Sequence, residues 1–302
     1  MNQSSRRVRR KVDGVLLFDK SAGLTSNACL GVIKRLYSAA KAGHTGTLDP
    51  FATGLLPVAL GEATKFTRGL LEADKTYLAT MHLGVVTETG DIEGAVLETR
   101  PVRVEEADLQ RVLGDFVGAI EQIPPMHSAL KRDGKPLYEY ARQGIVLERA
   151  ARHITIHSLE LSARRGDHVD FRVHCSKGTY VRTLAEDIGR VLGCGAHLHA
   201  LRREKVGDLC VADGFDAQAL EDMSAGQRDA CLLGVDALTR DLPRLQLDAE
   251  SARRVRLGQR VPVADPLAPH GELRAYDADG AFLGLLRVAD GVAHPLRLVN
   301  LE

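Results

Sequence analysis

The chain has 302 residues, 44% hydrophobic and 26% charged, and its 40 Lys/Arg balance 40 Asp/Glu for a formal net charge of zero. That length can bury a large core with a smaller module beside it, and the composition is that of a soluble globular protein rather than a disordered or fibrous one. A protein that grips nucleic acid over a wide face is usually basic overall, so neutrality confines any such contact to local patches.

No apolar run approaches the roughly 18 residues of a membrane span, and no secretory pattern opens the sequence. Five cysteines, Cys29, Cys175, Cys194, Cys210 and Cys231, include no Cys-x-x-Cys pair, which suggests reduced thiols in a cytoplasmic protein. Cys194, His197 and His199 are close enough in sequence to suggest a metal site, but no second ligand cluster accompanies them and no metal is assigned. A monomer is expected.

The first dozen residues carry Arg6, Arg7, Arg9, Arg10 and Lys11 and read as a mobile basic tail. Val15 to Phe18 reads as a buried strand ending at Asp19-Lys20, followed by a turn at Gly23. A helix begins near Thr25 or Ser26, either of which can cap it, with Cys29, Val32, Ile33 and Leu36 as its apolar stripe.

Next comes the most constrained stretch, residues 43 to 61, with Gly43, Gly46, Gly54, Gly61, Pro50 and Pro57. A single carboxylate, Asp49, sits in its middle, preceded by His44, Thr45 and Thr47 and followed by a short apolar segment. Asp-Pro most often starts a helix, with Asp as the cap. Phosphate-cradling patterns of the Gly-x-x-x-x-Gly-Lys-Ser/Thr or Gly-x-Gly-x-x-Gly kind are absent.

Glu62 to Leu71 has helical spacing, and Tyr77 to Leu83 alternates as a strand with Tyr77, Ala79, Met81 and Leu83 on one face. Gly84 to Gly94 suggests a hairpin, and Glu105 to Phe116 a helix burying Leu109, Val112, Leu113 and Phe116. Pro124-Pro125 marks a break. From there to Arg152 the chain is basic, and Lys131, Arg132, Lys135 and Arg142 interleave with Tyr138 and Tyr140, as a solvated insertion or an RNA contact would.

Val169, Phe171, Val173 and Cys175 alternate as a half-buried strand, and a helix starts around Thr179 to Arg182 with Leu184, Ile188, Val191 and Leu192 inward. Arg182 lies in the first turn, facing the positive end of the helix dipole, so it needs an anionic partner. Glu186, one turn on, is the ordinary choice. Residues 242 to 302 have turn glycines and prolines at strand spacing and suggest a small β-barrel. Its Arg253, Arg254, Arg256 and Arg260 could meet phosphates or form a solvated helix face.

Gly43-His44-Thr45-Gly46-Thr47-Leu48-Asp49-Pro50 with Ala52-Thr53-Gly54 resembles the catalytic motif of TruB-type tRNA pseudouridine synthases. Asp19 to Ser26 is similar to the family's opening motif, with Ser21 where that motif has proline. Pro124 to Lys131 resembles its RNA-embracing insertion, and Leu198 to Val206 its next pocket-lining motif.

The resemblance implies an α+β (mixed α/β) catalytic domain over residues 13 to 241 on a largely antiparallel sheet. It also implies an RNA-binding insertion at about 124 to 152 and a PUA-like C-terminal β-barrel from 242. The implied reaction converts the T-loop uridine of tRNA, position 55, to pseudouridine without metal or organic cofactor. Asp49 would be the catalytic carboxylate, ionised at neutral pH if its pKa is the ordinary one, with Arg182 as its partner. Tyr77 would be a stacking residue whose hydroxyl accepts or relays the C5 proton. Tyr180 and Leu201 would wall the pocket, His44 would fill the space vacated by a flipped base or steady the turn, and Lys20, Lys131 and Arg132 would bind substrate. An RNA-folding protein without catalysis and an Asp-dependent hydrolase of small molecules are the rival classes.

Overall fold

The structure, a computed structural model, describes residues 9–263 and 269–300. Arg6 and Arg7 of the basic tail, and Pro266 and Glu302 at the other end, lie outside the described residues.

The chain opens with strand β1 (Gly14–Lys20), then helix α1 (Ser26–Leu36), β2 (Ala42–His44) and β3 (Thr53–Leu60). Thr25 is the cap of α1, its hydroxyl accepting from the Ala28 amide at 3.1 Å. Ser26 serves a different end. Its hydroxyl donates to the Leu48 carbonyl at 3.0 Å and accepts from the Leu48 amide at 2.9 Å, tying α1 to the glycine-rich loop.

The segment expected to be one helix from Glu62 to Leu71 is instead a 3-10 turn, Gly61–Lys65, and a short helix α2 (Arg68–Glu72). Within α2, a Cβ on Gly69 would meet the Leu238 carbonyl at 2.9 Å, so this helix packs closely against the chain at Leu238. β4 (Lys75–Leu83) follows, then a ribbon of β5 (Val85–Thr87) and β6 (Val96–Thr99), helix α3 (Glu106–Asp115) and β7 (Gly118–Gln122). The insertion contributes β8 (Lys131–Arg132), β9 (Lys135–Pro136) and α4 (Leu137–Ala141). The chain returns through β10 (Arg152–Arg165), β11 (His168–Cys175), α5 (Val181–Val191), β12 (Ala196–Val206) and β13 (Leu209–Cys210).

The main sheet runs β1-β3-β12-β4-β11-β10-β7, antiparallel except where β12 meets β3 through Arg202↔Thr53 and Arg203↔Gly54. On one face Ala79, Met81 and Leu83 of β4 join Val169, Phe171, Val173 and Cys175 of β11 against Leu184 and Ile188 of α5. That alternation is the one legible in the sequence. Val191, expected inside, is 56% exposed, because it ends α5 beyond the edge of the core.

Helices α6 (Ala217–Asp222) and α7 (Ala225–Ala230) lead to β14 (Arg244–Gln246), α8 (Ala249–Arg256), β15 (Val261–Pro262), β16 (Gly271–Tyr276), β17 (Phe282–Ala289) and β18 (Val292–Leu298). These five strands form a curled half-barrel in the order β14-β16-β17-β18-β15, consistent with a PUA-like module. Phe282 packs edge-on to Phe66 at 5.3 Å, and the Tyr276 hydroxyl donates to Asp236 at 2.8 Å, so the half-barrel is docked on the larger part. The α8 arginines are largely occupied at home: Arg253 pairs with Glu250, Arg256 with Asp277, and Arg254 with the Arg260 carbonyl.

Candidate active site

The loop between β2 and β3 is held from three sides. Lys20 is fully buried, and its ammonium donates to the carbonyls of Ser21 at 3.0 Å, Pro50 at 3.0 Å and Ala52 at 2.6 Å. This places Lys20 as a clamp on the loop backbone rather than a group presented to substrate. Ser26 fixes Leu48, and Arg203, 2% exposed, donates to the carbonyls of Leu55 at 2.7 Å and Gly46 at 3.2 Å.

No helix begins at Asp49-Pro50. The Ala52 amide closes a turn on the Asp49 carbonyl at 3.2 Å, and β3 starts at Thr53. The capping role open to Asp49 in sequence is therefore not taken up, and its carboxylate is left for other partners. Gly54 allows this geometry. Its φ is +101°, and a Cβ there would lie 2.3 Å from the Arg203 carbonyl, so only glycine lets β3 and β12 meet.

A bulge in β12 does the complementary work. Register against β4 passes from Leu198↔Met81 to Ala200↔Thr80, leaving His199 as the extra residue. The slip turns Leu201, opposite Ala79, and Arg203, opposite Tyr77, to the side of the sheet that faces Asp49.

Arg182, 5% exposed, lies in the first turn of α5 with Asp49 and Asp91 on either side of it. Its Nε is 3.1 Å from Asp49 Oδ2, and its Nη1 is 3.1 Å from Asp91 Oδ2. The guanidinium also donates to the His127 carbonyl at 2.6 Å and the Thr89 carbonyl at 3.2 Å, drawing in the base of the insertion and the loop after β5. Glu186 does not take the partner's place. It packs instead against Gly90, where a Cβ would meet its carboxyl at 2.7 Å.

The Asp49 side chain keeps 34% of its surface accessible, on the edge that faces a cavity. Burial pushes its carboxyl above the usual range, and the Asp91 charge adds to that rise, while Arg182, Lys20 and His127 oppose it. The simple expectation of an unperturbed carboxylate is corrected accordingly.

The cavity holds about 320 Å³, near the lower end of small-ligand sites at roughly 300–1,000 Å³. Tyr77, Tyr180, Leu201 and Leu130 wall it, with Asp49 and Arg182 at one end. Burial pushes the Tyr77 phenol up, with Arg203 opposing, so Tyr77 stays a neutral phenol at neutral pH. Tyr180 is set by Gln122, whose side-chain amide accepts from the Tyr180 amide at 2.8 Å and donates to its carbonyl at 3.1 Å.

His44 ends β2, outside the residues that line this cavity. Burial and Arg203 hold it below its ordinary pKa, and its buried Nδ1 has no partner among the described residues. Lys131 and Arg132 stand on an exposed hairpin turned by Asp133 and Gly134, both with positive φ, and are not among the residues that line the cavity. Nothing in the sequence singles out Asp91 or Gln122. Arg203 falls within the motif at 198 to 206, but its role depends on a bulge no local pattern announces. The five cysteines are free, and Cys194 joins no histidine cluster among the described residues.

The site is thus a constrained aspartate loop on a largely antiparallel sheet, its carboxylate clasped by a buried arginine beside a tyrosine-walled cavity. Residues 34–181 match the TruB family pseudouridylate synthase N-terminal domain, residues 182–247 the tRNA pseudouridylate synthase B C-terminal domain, and residues 243–299 the pseudouridine synthase II TruB C-terminal model. The tRNA pseudouridine synthase B of Burkholderia mallei (strain ATCC 23344) is 56% identical over 299 residues, 97% of this chain and 96% of that protein. Its namesake in Aromatoleum aromaticum is 55% identical over 296 residues, 98% and 95% of the two chains. A chain in the crystal structure of a Cbf5-Nop10-Gar1 complex superposes with a TM-score of 0.70 at 26% identity, over 96% of this chain and 84% of that one. The chain belongs to the TruB family of pseudouridine synthases.

Proposed function

We propose that this enzyme isomerises the uridine at position 55, in the T-loop of tRNA, to pseudouridine, with Asp49 as its catalytic carboxylate. The observation that carries the reading is the Asp49–Arg182 ion pair at the end of a cavity walled by Tyr77, Tyr180 and Leu201. The names of the relatives, tRNA pseudouridine synthase B, support tRNA as the substrate.

In this reading the target base leaves its stack, which costs a few kcal/mol, and enters the cavity. Tyr77 stacks on the uracil, with Leu201 and Tyr180 as the remaining walls. The bond from C1′ to N1 breaks, the uracil turns in place, and C5 bonds to C1′. The C5 proton is then lost and N1 gains one, so the reaction is an isomerisation. Asp49 acts by attack on the sugar or by removing a ribose proton, and Arg182 keeps it charged when the base excludes water. Tyr77, a neutral phenol, relays the C5 proton by giving up its own as it accepts.

The exposed Lys131–Arg132 hairpin supports contact with tRNA phosphates. We assign the catalytic part to residues 13 to 241 and the PUA-like part to 242 onward. Incubation with unmodified tRNA, followed by carbodiimide mapping of pseudouridine, tests the proposal. A stop at the T-loop uridine is expected. A tRNA that is bound but unmodified would favour an RNA-folding protein, and modification at another position would refute the assigned site.

A further inference from the structure

A second cluster of chemistry-bearing side chains lies about 17 Å along β4 from Tyr77, at roughly 3.3 Å per residue. Tyr77, Ala79, Met81 and Leu83 face the core side, so His82 falls on the opposite face. His82 is paired across the ladder with His168 of β11 on one side and His197 of β12 on the other. The bulge that turns Leu201 toward the cavity adds His199 to the same outer face.

The rings are in contact. His82 and His168 stack at 4.2 Å with planes 13° apart, and His199 stands edge-on to His168 at 4.7 Å. One ring nitrogen from each of His82, His168 and His199 lies within 4.8 Å of the others. All three residues are half-buried. His197 is different: it is 5% exposed, and its Nδ1 is 3.0 Å from the Val85 carbonyl.

We propose that His82, His168 and His199 form a binding site for one divalent transition-metal ion of the zinc class, joining β4, β11 and β12. Neutral imidazoles suit zinc, nickel and copper. A tetrahedral zinc ion with bonds of about 2.0–2.1 Å needs ligand nitrogens about 3.4 Å apart. The ring nitrogens, now within 4.8 Å of one another, would have to close to that spacing by side-chain rotation on binding. Water completes the coordination.

The ion would sit on the far face from Asp49 and act as a staple between strands. A second group, Asp74, His157 and His174, lies at another edge, but there His157 already pairs with Asp74 at 3.0 Å.

The full-length, untagged, metal-free protein decides the question by zinc titration against a chromogenic chelator. Uptake of one equivalent and a higher Tm in zinc are expected, as for any ligand that binds only the folded state. Cobalt in place of zinc is expected to give visible d–d bands without a thiolate charge-transfer band. His168→Gln and His199→Gln each weaken binding at least ~10-fold, since even changes to groups that merely orient a ligand cost 10–100-fold. His157→Gln leaves binding intact.

Three results would overturn the site. These are no uptake at micromolar zinc, uptake that survives both glutamine variants, and a thiolate band implicating a cysteine. If a glutamine variant fails to fold without metal, the stoichiometry and cobalt spectrum of the unaltered protein still decide.

Discussion

Asp91 and Arg182, 3% and 5% exposed, meet at 3.1 Å behind the carboxylate of Asp49. The arginine is thus shared by two carboxylates, and the pair of acids carries one more charge than the guanidinium cancels. Asp91 is itself held by Thr89 and by the Glu93 amide at 3.1 Å, so it is the fixed member. Asp49 is the accessible one.

This sharing makes Asp91 a lever on the pH dependence of catalysis. The Asp91 charge raises the Asp49 pKa, and an activity that needs Asp49 ionised is lost as pH falls through that raised value. Asp91→Asn removes the like charge while keeping an oxygen to accept from Arg182. The acid limb of the single-turnover rate against pH is expected to move to lower pH. A limb that moves upward, or stays in place, would break the link between Asp91 and Asp49.

Asp49→Asn separates chemistry from folding. Burial raises the Asp49 pKa, so folding favours the neutral form and charging it costs stability as pH rises through that value. A neutral isostere removes this cost but leaves Arg182 with one carboxylate fewer. Stability at pH 7 is therefore expected to stay within about 1 kcal/mol of the parent. Pseudouridine formation is expected to fall below detection while tRNA affinity stays within roughly tenfold, or 1.4 kcal/mol. Residual turnover at a tenth of the parent rate would rule out Asp49 as the reactive carboxylate.

Gly54→Ala tests the close approach behind the site. The added methyl meets the Arg203 carbonyl at 2.3 Å and its amide at 2.6 Å, and φ of +101° is strained for alanine. Backbone atoms on a central strand cannot move aside cheaply. A loss of at least ~2 kcal/mol in urea unfolding is expected, among the larger effects of single substitutions. A variant as stable as the parent would mean that β3 and β12 separate easily.

Much of the core was legible because alternation along β4 and β11 and the 3.6-residue stripe on α5 report burial directly. Asp49 stood out for a different reason, a lone carboxylate among crowded glycines and prolines, while its catalytic role came only as what the family resemblance implies. Asp91 was not, since the segment 84 to 94 resembles any polar hairpin and its partner is 91 residues away. The bulge at His199 was hidden too. It leaves no mark in composition, yet it decides which faces Leu201, Arg203 and the outer imidazoles occupy. Lys20 shows the reverse case, where a lysine inside a recognised motif reads as a substrate contact but is spent on two carbonyls of the aspartate loop and on that of its neighbour Ser21.

The insertion offers the clearest test of substrate contact. Lys131, Arg132 and Lys135 sit on one exposed hairpin, and none of them is in a salt bridge among the described residues. Free ammonium and guanidinium groups on a projecting turn are well placed to displace counterions from RNA. Each phosphate contact contributes about 0.7–0.9 to the slope of log K against log salt, depending on strandedness. Replacing all three with glutamine is therefore expected to flatten that slope by up to roughly 2–3 and to weaken binding most at low salt. The rate at saturating tRNA is expected to change little, because none of the three reaches the Asp49 cavity. An unchanged slope would show that the hairpin is merely solvated, and a fall in the saturated rate at constant affinity would place it in the chemistry instead.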